Sequence, residues 1–492
     1  MNQNNSETLI IEKKDEVYLT LDAEPSILQE ISGFFTFYVP GYKFIPSYRN
    51  KIWDGKIRLL NTRNNTIYCG LIDYIETFAE KRNYTVEYES DIKSQNEFSI
   101  LEGREFIKSL NLALEPRDYQ ISAFVHSIRK NRCLLLSPTA SGKSLIIYFL
   151  VRFYNVKTLI LVPTTSLVSQ MYTDFIDYAK QDEWSAENTC HTIFAGRDKV
   201  STKHILISTW QSLYKMSYEY FDEFDLIIGD EAHLYKAKSL TSILTKLVSC
   251  PYRFGLTGTL DGTLTHKLVL EGLFGAVKKI TTTKELIDRN YLSPFHVKAI
   301  VLKYTEPVCK ALNRAKYQEE LNFLVSNDAR NRFIRNLAIS LEGNTLLLFQ
   351  FVEKHGRILY NLIKEKVTNR TIFFVYGGTD ADAREQVRSI TEKKRDAIII
   401  ASYGVYSTGV NIRNLHNIIF SSPSKSRIRN LQSIGRTLRK TKDKKTAILY
   451  DIADDLSYKN WRNYTLGHYI ERIKIYNDEK FDYKIYTVKL KK

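Results

Sequence analysis

The sequence runs to 492 residues, with 71 Lys and Arg against 55 Asp and Glu and a formal net charge of +16. That length allows about three domains of roughly 150 residues, and the basic excess favours a polyanionic partner; no amphipathic basic anchor stands out, so nucleic acid is a better match than an acidic membrane. The five cysteines are widely spaced with no C-x-x-C pair, which argues against a zinc site or a disulfide framework, and neither a signal-peptide core nor a long apolar run is present, so a soluble, reducing, cytoplasmic setting is expected.

In chain order, residues 16–89 read EVYLTLD, a helix around 27–35, the pair KIRLLN and TIYCGL, a helix around 72–82, and YTVEYES. This predicts a small β-α-β-β-α-β unit within a domain of residues 1–100. Inside it, YKFIPSYRNKIW (42–53) interleaves aromatics with Lys43, Arg49 and Lys51, a composition suited to stacking on unpaired bases and meeting phosphates. The same aromatics would serve as core. Trp53 is the better core candidate, and Lys56 and Arg58 are further phosphate candidates. Residues 91–114 read as a connector.

At 134–147 the chain reads LLLSPTASGKSLII, an apolar strand running into a helical pattern through a near match to the phosphate loop G-x-x-x-x-G-K-[ST], with Ser137 in place of the first glycine. In such a loop, backbone N–H groups and the helix N-terminus surround phosphate oxygens, Lys143 meets the β and γ phosphates and Ser144 holds Mg²⁺. An ordinary strand-to-helix turn is the alternative. Apolar runs then alternate with helical patterns in two sets. CLLLS, TLILVPT, HILIST, DLIIGDE and RFGLTGT form the first, and TLLLFQF, TIFFVYG, AIIIASYG, NIIFSS and TAILYDIAD the second. Each set predicts a parallel α/β domain, at 101–290 and 291–492, joined near 285–300. Asp230-Glu231-Ala232-His233 ends the strand DLIIG, where Asp230 could help hold Mg²⁺ and Glu231 could polarise a water. Arg436 and Arg439, three apart on a helix, can reach one phosphate; a solvated basic face is the alternative.

TASGKS, DEAH, GLTGT, SYGVYSTGVNI and QSIGRTLR, in this order, resemble motifs I, II, III, V and VI of superfamily 2 helicases. VPTTSLVSQ is similar to motif Ia, STWQS to the next nucleic-acid motif, LLLFQF to motif IV, and EPRDYQ to the adenine-reading Q motif. With GYKFIPSYRNKIWDGKIRLL near the start and YNDEKFDYKIYTV late in the chain, the likeness narrows to the recombination and branch-migration helicases of T-even phages. The resemblance implies an α/β fold: two tandem RecA-like parallel-sheet motor domains preceded by a small α+β accessory domain. It implies ATP bound by Arg117, Gln120, Thr139, Ser141, Gly142, Lys143, Ser144, Gly409, Asn411 and Gln432. Mg²⁺ would be held by Ser144 and Asp230, and catalysis carried by Lys143, Asp230, Glu231, Arg436 and Arg439. Thr164, Thr209, Phe349 and Thr408 would contact nucleic acid, although capping or packing explains each equally well. The implied partner is branched or forked DNA, with RNA–DNA hybrids as a further substrate. Three departures stand out: Ser137, a TGT motif III where many relatives have S/T-A-T, and Ser433 where a basic residue usually follows the glutamine. The alternatives are a duplex translocase driving a restriction system and an ATP-inactive annealing protein.

Overall fold

A computed structural model describes residues 7–89, 92, 96–194, 196, 198–235, 238–260, 262–408, 412, 414–422, 426, 431, 433–435, 438 and 446–490, with the side chains of 238, 239, 381, 407 and 408 left aside. Two compact units form, Met1–Ser137 with Gly142–Ile280, and Pro138–Ser141 with Thr281–Lys492.

The first unit opens with β1 (Thr8–Lys13), β2 (Tyr18–Asp22), α1 (Pro25–Phe34), β3 (Thr36–Tyr38), β4 (Lys56–Arg58), β5 (Thr66–Tyr68), α2 (Ile72–Glu80) and β6 (Thr85–Tyr88). The sheet order is β5-β2-β1-β6, with β1 antiparallel to β2 and parallel to β6, while β3 and β4 pair separately. Alternation along β1 and β2 puts Leu9, Ile11, Leu19 and Leu21 on one face. They share a core with Ile27 and Ile31 of α1 and with Ile75 and Phe78 of α2. β1 lies ahead of residue 16, outside the unit that the sequence pattern predicts.

After α3 (Asp118–Lys130) come β7 (Arg132–Leu136), α4 (Lys143–Tyr154), β8 (Thr158–Val162), α5 (Thr165–Tyr178), β9 (Cys190–Ile193), β10 (Ile205–Thr209), β11 (Leu226–Gly229), α6 (Lys238–Lys246), β12 (Tyr252–Thr257), α7 (Leu264–Phe274) and β13 (Val277–Lys279). They build a seven-stranded, wholly parallel sheet, β13-β7-β12-β11-β8-β10-β9. Every residue of β8, β10 and β11 is buried, as a sheet covered on both faces requires. On β12 the fully buried Arg253 donates to the carbonyls of Leu244 (2.6 Å), Leu247 (2.9 Å) and Leu273 (2.9 Å). One guanidinium thus satisfies orphan carbonyls at the C-terminal ends of α6 and α7.

α7 also fastens the small sheet to the large one. A Cβ on Gly70 would lie 1.9 Å from the carbonyl oxygen of Glu271, so the turn Cys69–Leu71 rests directly on the α7 backbone. The Glu271 carboxylate, 3% exposed, accepts from the Tyr74 hydroxyl at 2.7 Å and from the Val277 N–H at 2.9 Å.

The second unit contains β14 (Phe295–Lys303), α8 (Asp328–Ser340), β15 (Thr345–Phe349), β16 (Thr371–Val375), β17 (Ala397–Ser402), β18 (Asn417–Phe420), β19 (Ala447–Asp455), α9 (Tyr464–Asp478) and β20 (Asp482–Lys489). Its sheet is also seven-stranded and wholly parallel, β16-β17-β15-β18-β19-β14-β20. Asp451 and Asp454 stand three apart on β19 and so face opposite sides of it. Asp454 takes Arg330 of α8 (Nε–Oδ1 2.8 Å, Nη2–Oδ2 2.9 Å), and Asp451 takes Arg472 of α9 (Nη2–Oδ1 2.8 Å) with the Tyr476 hydroxyl at 2.8 Å. Each helix is thereby pinned to one face by a buried, hydrogen-bonded ion pair. The two domains are RecA-like α/β sheets, as the sequence implies.

Because the Glu271 carbonyl is backbone and cannot swing aside, Gly70→Ala is expected to destabilise the first unit by about 1–3 kcal/mol. Gly33→Ala is the control. Gly33 lies exposed on α1 with nothing within 4 Å of the added methyl, and a gain of about 0.5–1 kcal/mol is expected there. Urea denaturation of both variants checks this; equal midpoints would mean that the seam yields freely.

Candidate nucleotide and nucleic-acid site

The connection from β7 to α4 supplies the first half of the site. Lys143 begins α4 with no side-chain cap, so the first-turn N–H groups point into the loop. Two loop residues are left-handed, Ala140 (φ 68°) and Gly142 (φ 79°). At Gly142 an added Cβ would also meet the Gln120 amide nitrogen at 2.4 Å. That amide donates to the Gly142 carbonyl at 3.3 Å, and the Gln120 oxygen accepts the Arg117 N–H at 2.9 Å. Ser137 is not left-handed, so the glycine of the usual pattern is not needed there. Its N–H continues the sheet by donating to Thr257 O at 2.9 Å, and its carbonyl accepts from Lys143 Nζ at 3.4 Å. Thr139 and Ser141 lie on the same loop.

β11 brings the second half. Its pairing with β8 continues through Asp230 N–H to Leu161 O at 3.0 Å, and Glu231 N–H donates to Asp230 Oδ1 at 2.9 Å. Glu231 is left-handed (φ 50°, ψ 48°), an uncommon conformation for a non-glycine residue that turns its side chain out of the strand direction. Burial, then the Glu231 charge, raises the Asp230 pKa to about 6, with Lys143 pulling the other way. Lys143, Asp230 and Glu231 therefore share one electrostatic field. Two carboxylates answered by one ammonium leave room for further positive charge. With the Ser144 hydroxyl, this oxygen-rich donor set fits a hard divalent cation such as Mg²⁺. The Ser144 oxygen lies 2.9 Å from the Tyr178 hydroxyl, a partner that no sequence motif announces.

His233 ties this strand end to the TGT segment. Its Nδ1 lies 3.3 Å from Glu231 Oε2 and 3.0 Å from the Thr257 hydroxyl, which donates onward to Thr259 O at 3.0 Å. One hydroxyl has one proton, so with Thr257 donating to Thr259 the proton between His233 and Thr257 belongs to Nδ1. The Thr257–Thr259 turn is thus wired to Glu231 even though the segment lacks the S/T-A-T pattern.

The nucleic-acid candidates have different settings. Thr164 caps α5, its hydroxyl accepting the Leu167 N–H at 3.3 Å, and the Thr209 hydroxyl lies 3.0 Å from that of Ser212. Both line one open depression of about 550 Å³ with Lys199 and Gln211. Phe349 is a correction. It is wholly buried, stacked on Phe374 with ring centroids 5.5 Å apart, and its ring comes within 2.6 Å of where a Gly356 Cβ would stand, so it packs and its side chain cannot reach a ligand. Thr408 ends the helix Tyr403–Thr408, and its side chain lies outside the described residues, as do Gly409, Asn411, Gln432, Arg436 and Arg439 altogether.

In the small domain, Lys43, Arg49 and Lys51 fall between β3 and β4. Lys43 Nζ stands 5.9 Å from the Tyr42 ring centroid and Lys56 Nζ 5.0 Å from that of Tyr38. Arg49 and Lys51 line an open depression with Trp53, whose indole donates to Lys56 O at 2.9 Å. Trp53 is thus half-buried and hydrogen-bonded at the depression, and Arg58 is paired with Asp54. Phe44 (77% exposed) and Ile52 (79%) face solvent beside these cations. Their exposure is what the sequence left open.

Family models match along the chain: "DNA helicase UvsW, N-terminal" at residues 9–89, "Type III restriction enzyme, res subunit" at 113–262 and "Helicase conserved C-terminal domain" at 328–441. The ATP-dependent DNA helicase uvsW of Enterobacteria phage T4 is 34% identical over 97% of this chain and 98% of its own length. The DNA 3'-5' translocase XPB2 of Sulfurisphaera tokodaii is 26% identical over 76% of this chain and 88% of its own. Among solved structures, that of T4 UvsW covers 98% of this chain and 100% of its own at 32% identity with a TM-score of 0.52.

A Phe349→Ala substitution is expected to cost about 3–5 kcal/mol by leaving a cavity. A denaturation curve reads this loss. Phe349→Leu, which keeps most of the volume, should bind nucleic acid like the wild type.

Proposed function

The chain belongs to the family of the phage T4 ATP-dependent DNA helicase uvsW, and on that premise we propose that it is an ATP-driven motor that unwinds and remodels branched DNA in recombination, replication and repair. D-loops, R-loops, Holliday junctions and forks are its substrates, and the host cytoplasm is where it acts. The convergence of Lys143, Asp230 and Glu231 at the ends of β7 and β11 is the observation that supports a working ATPase. Residues 1–100 form the accessory domain, 101–290 the first motor domain and 291–492 the second.

In this reading Arg117 and Gln120 select adenine, with Gln120 also setting the Gly142 carbonyl. The N-terminus of α4 and Lys143 take the phosphates, helped by Thr139 and Ser141. Ser144 and Asp230 would hold Mg²⁺, whose positive charge would offset the negative charge of the phosphate oxygens. Glu231 orients and polarises the attacking water, and His233 relays its position to Thr257. Arg436 and Arg439 supply positive charge to the transferring phosphoryl group, with Gly409, Asn411 and Gln432 as further nucleotide contacts. Thr164, Thr209 and Thr408 meet the DNA backbone, which positions the motor without choosing a substrate. Lys43, Arg49 and Lys51, set among exposed Tyr38 and Phe44, meet the junction itself. A restriction motor is the weaker reading: that family model stops at residue 262, and the DNA-bound type ISP enzyme LlaBIII, at 17% identity and a TM-score of 0.57, shares only the fold.

Lys143→Ala should abolish ATP hydrolysis and leave DNA binding intact, and Glu231→Gln should bind ATP without turning it over. Steady-state ATPase rates with fork DNA, beside filter binding of both ligands, test this; near-wild-type turnover in either variant would place the ATP pocket elsewhere.

Charge removal at Lys43, Arg49 and Lys51 should lower the slope of log K against log salt by about 0.9 per lost phosphate contact and weaken the preference for forks over plain single strands. Titrations at several salt concentrations give the slope. An unchanged slope with unchanged preference would make this segment a structural one.

A further inference from the structure

Where the small sheet meets the large one, a cavity of about 340 Å³ is lined by Lys13, Lys130, Arg132 and Lys278 against only Glu16 and Asp73. Glu16 is already shared by two cations, Lys13 Nζ at 2.6 Å and Arg132 Nη2 at 3.0 Å. No ion pair joins Lys130 or Lys278 to a carboxylate among the described residues. The other guanidinium nitrogen, Arg132 Nη1, is buried with no hydrogen-bond partner there. His126 of α3 lines the same space; burial first, then Lys278, Lys130 and Arg129, hold its pKa near 4, so it adds no charge at neutral pH. Apart from Asn131, the remaining wall is largely apolar, with Leu19, Ile72 and Val277. Arg132 begins β7 and the phosphate loop leaves its other end, about 16 Å away at roughly 3.3 Å per residue. This cavity is therefore distinct from the nucleotide site.

We propose that the cavity is an accessory anion site that takes a phosphate group. An arginine with an unused donor recognises phosphate oxygens directionally, and the flanking lysines act as point charges. The volume is at the small end of that for small-molecule sites and leaves space for an organic portion against the apolar wall. The phosphate could belong to a free phosphorylated small molecule or to a nucleic-acid backbone. Lys13 comes from β1, Arg132 from β7 and Lys278 from β13, so a bound phosphate ties the accessory sheet to the motor sheet.

The test uses full-length protein with isotope-labelled histidine, the His126 signal being the one lost in His126→Gln. Its pH titration is followed with inorganic phosphate, pyrophosphate or a short single-stranded oligonucleotide. Binding of an anion beside it should raise the His126 pKa by about 1–3 units. The rise should persist in Lys143→Ala, which disables the phosphate loop, and vanish in Lys130→Glu/Lys278→Glu, whose exposed positions let the variant fold. A rise with the small anions alone identifies a free ligand, and a rise with the oligonucleotide identifies the DNA backbone; either supports the assignment. No rise with any probe, or an undiminished rise in the double variant, overturns it.

Discussion

A carboxylate taken out of water costs several kcal/mol unless donors replace the lost hydration. Glu271 meets that demand with two hydrogen bonds, from the Tyr74 hydroxyl of α2 and the Val277 N–H that opens β13, and an ion pair at 3.8 Å with Lys267 of α7 itself. The accessory sheet, an edge strand of the motor sheet and the helix that follows the TGT segment thus share one charge. Glu16, reaching Arg132 at the start of β7, adds a second tie to the strand that feeds the phosphate loop. The accessory domain therefore travels with the first motor sheet instead of swinging on the connector.

The same first sheet carries unfavourable backbone geometry where chemistry is proposed. Ala140 and Glu231 are both left-handed without being glycine, each at a cost of roughly 1–2 kcal/mol. The inner strands β11 and β12, buried along nearly their whole length, anchor the backbone beside them. Arg253 locks together the C-terminal ends of α6 and α7, the helices that follow DEAH and TGT. The His233–Thr257 contact spans the two strand ends between those anchors, where a displacement at one would be felt at the other.

How much of this was legible depended on burial. Strands covered on both faces, such as TLILV and LLLF, are written as continuous apolar runs and were readable, as was the order of motifs at their ends. In the two motor sheets the strands passed over were β9, β13 and β20, all at sheet edges, and β14, an interior strand whose FHVKAIVLK includes two exposed positions near its start and at its end; in the small domain the short β3 was passed over as well. Edge strands need only one apolar face, and their sequences look like loops. β1 was missed for the same kind of reason, since its TLIIEK alternates and merges into a charged turn. Ser137 raised a doubt that only the backbone could answer, because the need for glycine is a matter of φ and not of motif. Phe349 failed in the opposite direction: an aromatic in a family motif invites a ligand, yet a ring at the end of a buried strand had the core as its nearest partner. Tyr178, 34 residues beyond Ser144, lies at a separation that no local pattern could connect.

The position of β14 has a consequence for the order in which the protein can assemble. Residues 295–303 hydrogen-bond to 447–455 on one side and to 482–489 on the other, so β14 has no sheet neighbour made within more than 140 residues of it. The first unit mixes both kinds: β1 pairs β2 a few residues later and β8 finds β10 and β11 nearby in the chain, whereas β7 must wait for β12 (Arg132 beside Arg253) and β13 (Leu134 beside Val277). During synthesis the first motor sheet can close while the second still waits, its strands β15 to β18 paired but one flank bare. Long-range closure of this kind is slow and leaves an apolar edge open to other chains. The second sheet is thus the last part of the chain to be completed, and β20 is the strand whose arrival covers the remaining flank of β14.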